Sequence, residues 1–71
     1  MKNTFGNRLK TLRETFNITQ KELATMLNVS QQHVSSWENN KLKPDTNTVI
    51  KIAITLNVTT DYLLGLSNLY T

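Results

Sequence analysis

The sequence contains no cysteine, one histidine, one proline and two glycines in 71 residues. Without cysteine there is neither a disulfide framework nor a thiolate metal site, so stability must come from packing and helix caps. One histidine, His33, and five carboxylates are too few to suggest a catalytic or metal-binding cluster, so no enzyme, metal or cofactor is expected. Gly6 and Gly65 stand far apart, which excludes a phosphate-cradling loop, and both read as helix-end residues. Uninterrupted apolar runs reach two or three residues, far short of the roughly 20 that span a bilayer. The opening MKNTFGNRLK lacks the hydrophobic segment of a signal peptide. A soluble, cytoplasmic protein with no membrane partner is therefore expected. Acidic residues are outnumbered by basic ones, and the net charge of +3 favours a polyanionic partner. A chain this short has core enough for one domain.

What is present is helical periodicity. Phe5, Leu9, Leu12 and Phe16 follow one another at steps of four, three and four, predicting a first helix over about Phe5–Phe16 with Thr4 as N-cap. Thr19 and Glu22 have capping-box spacing, so a second helix starts at Gln20 and reaches about Leu27. One three-residue pattern then recurs: Asn17-Ile18-Thr19, Asn28-Val29-Ser30 and Asn57-Val58-Thr59. Asparagine tolerates the left-handed conformation that ends a helix, the aliphatic residue plugs the core, and the hydroxyl caps the next helix. Pro44 and Asp45 open a further helix, whose apolar face of Val49, Ile50, Ile52, Ala53 and Leu56 predicts a central position. A short last helix, about Thr60–Leu64, ends at Gly65. The expected fold is all-α, five helices in one unit.

The third helix is the unusual one. With Ser30 as N-cap and 100° per residue, Val34 and Trp37 point one way while Gln32, Ser35, Ser36 and Asn39 point the other; Gln31 and His33 lie on opposite flanks. Amides and hydroxyls both donate and accept, which suits base edges, and a slim polar helix fits a major groove about 12 Å wide. A merely solvated helix would have the same polarity, but the preceding capped helix and short NVS turn supply the geometry in which one helix crosses the backbone and the next enters the groove. Trp37, on the Val34 stripe, is assigned to the core. Glu38 falls beside the same stripe, where an unpaired carboxylate is costly, and Arg13 lies similarly beside the stripe of the first helix.

TQKELATMLNVSQQHVSSWENNKLKP followed by DTNTVIKIAITLNVTTDYLLG, with FGNRLKTLRETF before them, resembles the phage repressor and Cro-type helix-turn-helix family of XRE-like regulators over about residues 4–65. The resemblance implies a compact lambda-repressor-like domain over residues 1–65 with residues 66–71 as a short tail, in a bacterial or phage-encoded protein. It implies a sequence-specific, double-stranded-DNA-binding transcriptional regulator, a repressor, that reads bases through Gln31, Gln32, Ser35 and Ser36. By the same resemblance Thr19 and Gln20 grip phosphate, Gln20 through side chain and main chain alike. Asn39, Lys41 and Lys43 follow as phosphate candidates, with His33 at the groove edge, and Arg13 pairs with Glu38. The family usually binds a pseudo-palindromic operator as a homodimer, and the apolar residues Leu63, Leu66, Leu69 and Tyr70 are the expected dimer contact. No small-molecule ligand is evident. A second reading keeps the helical scaffold as an antitoxin-like or adaptor module for a protein partner; it predicts salt-tolerant binding indifferent to Gln31 and Gln32. Asn17, Asn28, Asn40 and Asn57 stand where the family often has glycine, which leaves the fold intact and alters its stability.

Overall fold

The structure, a computed structural model, describes residues 4–71; residues 1–3 of the expected DNA-binding unit lie outside the described part. Five helices follow one another: α1 Phe5–Thr15, α2 Gln20–Leu27, α3 Gln31–Glu38, α4 Thr46–Leu56 and α5 Thr60–Leu63. Each starts on a side chain that satisfies an otherwise orphaned backbone N–H. Thr4 accepts from Asn7, Thr19 from Glu22, Ser30 from His33, Asp45 from Thr48 and Thr59 from Tyr62. At Thr19 the capping box is complete, since the Glu22 carboxylate accepts from the Thr19 N–H at 2.8 Å.

The helices also share one way of ending. Asn17, Asn28, Asn40, Asn57 and Gly65 all have positive φ, between 56° and 84°. After each, the next N–H returns to the carbonyl five residues back: Ile18 to Arg13, Val29 to Ala24, Lys41 to Ser36, Val58 to Ala53 and Leu66 to Asp61. This is the Schellman arrangement, and it swings the chain sharply into the next element. Lys51 adds a side-chain cap, its ammonium donating to the Leu27 carbonyl at the end of α2.

Leu9, Leu12, Leu23, Leu27, Val34, Ile52 and Leu63 are fully buried, and the connector residues Ile18, Val29 and Val58 pack against or within the same core. The packing joins α1 to α3 and α5, α2 to α3 and α4, and α4 to α5. The apolar face expected of α4 is only partly used. It buries Val49, Ile52, Ala53 and Leu56 but leaves Ile50 and Ile54 exposed, because α2 and α5 cover only one side of it.

Gly6 has a role beyond a helix end. A Cβ there would overlap the Trp37 carbonyl and lie 2.9 Å from that of Glu38, so glycine lets α1 close onto the last turn of α3. Arg8, unremarked in the sequence, is buried and holds the tail. Its Nη1 donates to the carbonyls of Tyr62 and Ser67 at 3.1 and 2.7 Å, its Nη2 to Asn68 Oδ1 at 3.1 Å, and the guanidinium lies 4.6 Å from the centroid of the Tyr62 ring. The tail continues with the Tyr70 carbonyl accepting from the Thr59 N–H and the Tyr70 ring set edge-on against Phe16 and Tyr62. Among the described residues no helix is long and apolar enough to cross a membrane.

Candidate nucleic-acid interface

Two helices separated by three residues, Asn28-Val29-Ser30, form the unit that carries the site. The left-handed Asn28 ends α2, Val29 plugs the core and Ser30 caps α3, so the angle between the helices is set within the connector itself. Val34 and Trp37 then anchor α3 from beneath, at 0% and 4% exposure. Gln31, Gln32 and His33 are exposed, and Ser35 and Ser36 are half-buried on the polar side. Ser35 is tied to its own helix, accepting from Asn39 Nδ2 at 3.3 Å, so the longest free reach on this face belongs to the two glutamines. A shallow notch of about 190 Å³ lies among Ser30, Gln32, His33, Ser36 and Leu42.

The single charge on α3 is buried and compensated. Glu38, with its side chain 2% exposed, accepts from Arg13 Nε at 2.6 Å and Nη2 at 3.1 Å in a two-pronged pair. The hydrogen bond to Glu38 raises the Arg13 pKa above its ordinary value, outweighing the cost of burial. Arg13 also donates to the Ile18 carbonyl at 2.8 Å, bracing the α1–α2 connector. The outward face of α3 is therefore electrically neutral, suited to discrimination by hydrogen bonds rather than by charge.

Glu38 also accepts from Gln20 Nε2 at 3.0 Å, which ties that side chain to the buried ion pair. One amide N–H of Gln20 is committed to Glu38, because a buried carboxylate draws every donor within reach. What α2 offers an anion is its main chain: the N–H groups of Thr19 and Glu22 are taken up in the capping box, leaving those of Gln20 and Lys21 in the first turn. Lys21 is exposed beside them. Beyond α3, Asn39, Lys41 and Lys43 are all exposed.

The expected dimer contact needs correction. Leu63 is fully buried in the core and has no surface to give a partner. Tyr70 packs against Phe16 and Tyr62 within its own chain and is half-buried, while Leu66 and Leu69 are exposed. A second apolar feature lies elsewhere, in a groove of about 370 Å³ whose lining includes Phe5, Trp37, Leu42, Pro44, Val49 and Leu64. Leu42 and Leu64 on this groove, with Ile50 close by, are 44–55% exposed. Leu42 was the available signal, a lone aliphatic side chain in the polar run NNKLKPDT.

Comparison with known proteins agrees with this geometry. The helix-turn-helix family pattern matches residues 9–63. The HTH-type transcriptional regulator ImmR of Bacillus subtilis (strain 168) is 44% identical over 62 residues, covering 87% of this chain and 49% of that protein. The HTH-type transcriptional activator BcrR of Enterococcus faecalis is 37% identical over 67 residues, covering 94% of this chain and 33% of that one. The chain thus spans half or less of the length of these two relatives. Among solved structures, the P22 c2 repressor in complex with synthetic operator 9T superposes with a TM-score of 0.83 at 28% identity, covering 90% of this chain and 97% of the other. The restriction-modification controller protein C.AhdI from Aeromonas hydrophila gives 0.79 at 25% identity, covering 84% and 91%.

Proposed function

The chain belongs to the helix-turn-helix family, and from that premise we propose that it is a sequence-specific, double-stranded-DNA-binding transcriptional regulator acting as a repressor. In this reading α3 enters the major groove, Gln31 and Gln32 make the leading base contacts, and Ser35 and Ser36 supply shorter ones. Main-chain N–H groups of Gln20 and Lys21, with Thr19, His33, Asn39, Lys41 and Lys43, bracket the groove at the phosphates. The observation that carries the reading is the face of α3: exposed, uncharged amides on a helix pinned from below by Val34 and Trp37. The likeness to a repressor held on its operator supports it further.

Two copies on a pseudo-palindromic operator, with half-sites about 34 Å apart, complete the reading. The exposed Leu42, Ile50 and Leu64 around the apolar groove supply surface for contact between the copies, in place of the buried Leu63.

Selection of binding sites from random duplex DNA at two salt concentrations tests the proposal. An enriched motif is expected, bound less tightly as salt rises. Gln32→Ala is expected to weaken operator binding by about 1–3 kcal/mol and to relax the preference at one base position. Absence of an enriched motif, or affinity indifferent to salt, overturns the proposal and favours the protein-interaction reading.

A further inference from the structure

Leu42 is an aliphatic side chain in the otherwise polar run NNKLK, and 44% of it is exposed. Its place is fixed by the way α3 ends. Asn40 takes a φ of 59°, and after it the N–H groups of Lys41 and Leu42 both return to the Ser36 carbonyl, at 2.9 and 3.3 Å. The loop therefore folds back onto the last turns of α3 and sets Leu42 beside the polar side of that helix. There it closes the notch formed by Ser30, Gln32, His33 and Ser36. Its other side borders the apolar groove with Trp37 and Pro44, so Leu42 is the wall between groove and notch.

The notch thus has a mixed chemistry, an amide and hydroxyls facing one branched alkyl group. Gln32 and Ser36 stand one turn apart on the outward face of α3. Among the described residues no lysine, arginine or carboxylate lines the notch, so a phosphate seated there would lose water to leucine and gain no fixed counter-charge. A base edge fits better. In the major groove the C5-methyl of thymine is the apolar group that a base pair presents, and it lies beside the hydrogen-bonding atoms that a glutamine reads.

We propose that Leu42 is a specificity-determining residue, receiving the C5-methyl of a thymine at or beside the base pair that Gln32 reads. The proposal rests on the DNA-binding reading above and adds to it a base contact made from outside the recognition helix. Contact with Leu42 takes the methyl out of water and leaves the Gln32 amide and Ser36 hydroxyl for the hydrogen-bonding atoms of the bases. Lys41 and Lys43, exposed on either side of Leu42, hold the loop against the flanking phosphates and so keep the leucine at the groove edge.

The test replaces each thymine of the selected operator in turn by deoxyuridine, which lacks only the methyl, and measures affinity for the native chain, Leu42→Ala and Leu42→Asn. For the native chain a thymine in each half-site should be sensitive, its replacement weakening binding about three- to fivefold. The slope of log K against log salt should stay the same, because no charge takes part. Both variants should bind the thymine and uracil operators nearly equally, Leu42→Ala because its side chain is too short and Leu42→Asn because it is polar at similar size. Each readout is a ratio of two affinities for one protein, so any loss of stability or of contact between copies cancels. An operator with no sensitive thymine, or a methyl effect that survives in either variant, overturns the proposal while leaving operator binding in place. Failure to bind any selected operator overturns the DNA-binding reading along with it.

Discussion

Glu38 sits where apolar packing would forbid a lone carboxylate, and Arg13 Nε, Arg13 Nη2 and Gln20 Nε2 make it tolerable. Glu38→Gln keeps the shape and removes the charge, leaving the Arg13 guanidinium without its counter-ion. Stability should fall by about 3 kcal/mol, seen as a lower denaturant midpoint. The pair could be anticipated from two local facts, a charged residue beside each apolar stripe, with the family resemblance to join them. Gly6 could not be read the same way. Its neighbours are the main-chain carbonyls of Trp37 and Glu38 and the Asn40 side-chain oxygen, all distant in sequence, and no periodicity announces them. Gly6→Ala raises helix propensity by about 1 kcal/mol, yet the clash with α3 should win and leave a net loss of about 1–3 kcal/mol in chemical denaturation.

The helices begin and end on devices confined to a few neighbouring residues, which is why their bounds were legible. Threonine, serine or aspartate caps each start, and a left-handed asparagine or glycine follows each end. Burial was less legible: α4 is apolar on more sides than its neighbours cover, and composition alone does not reveal which side lacks a partner. The caps also predict acid sensitivity. Hydrogen bonding with the Thr19 backbone and side chain lowers the Glu22 pKa, and the side chain and N–H of Thr48 lower that of Asp45. A folded-state value below the unfolded one gives stabilisation that is complete above the unfolded value and lost as pH falls through the folded one. The loss therefore begins near the ordinary carboxylate range and continues below it. Glu22→Gln keeps the capping hydrogen bond but cannot titrate. Its thermal stability should decline less steeply than the native chain's in melts between about pH 7 and about pH 2.

Across the whole molecule, the tail closes the fold rather than trailing from it. Arg8 reaches partners 54 to 60 residues away, a separation at which neither periodicity nor capping gives a signal, so the tail read as a dimer contact instead. Truncation after Gly65 should uncover the Phe16 and Tyr62 rings and strip Arg8 of two acceptors, lowering stability by about 2 kcal/mol in urea titrations. The same closure sorts the chain's chromophores. Its one tryptophan lies under α3, while its two tyrosines meet at the tail, 5.6 Å apart. Indole emission is therefore an intrinsic optical reporter of α3, and phenol emission one of the tail. Release of the tail alone should change the tyrosine signal and leave the tryptophan signal untouched, so two colours distinguish opening at one end of the molecule from movement at the other.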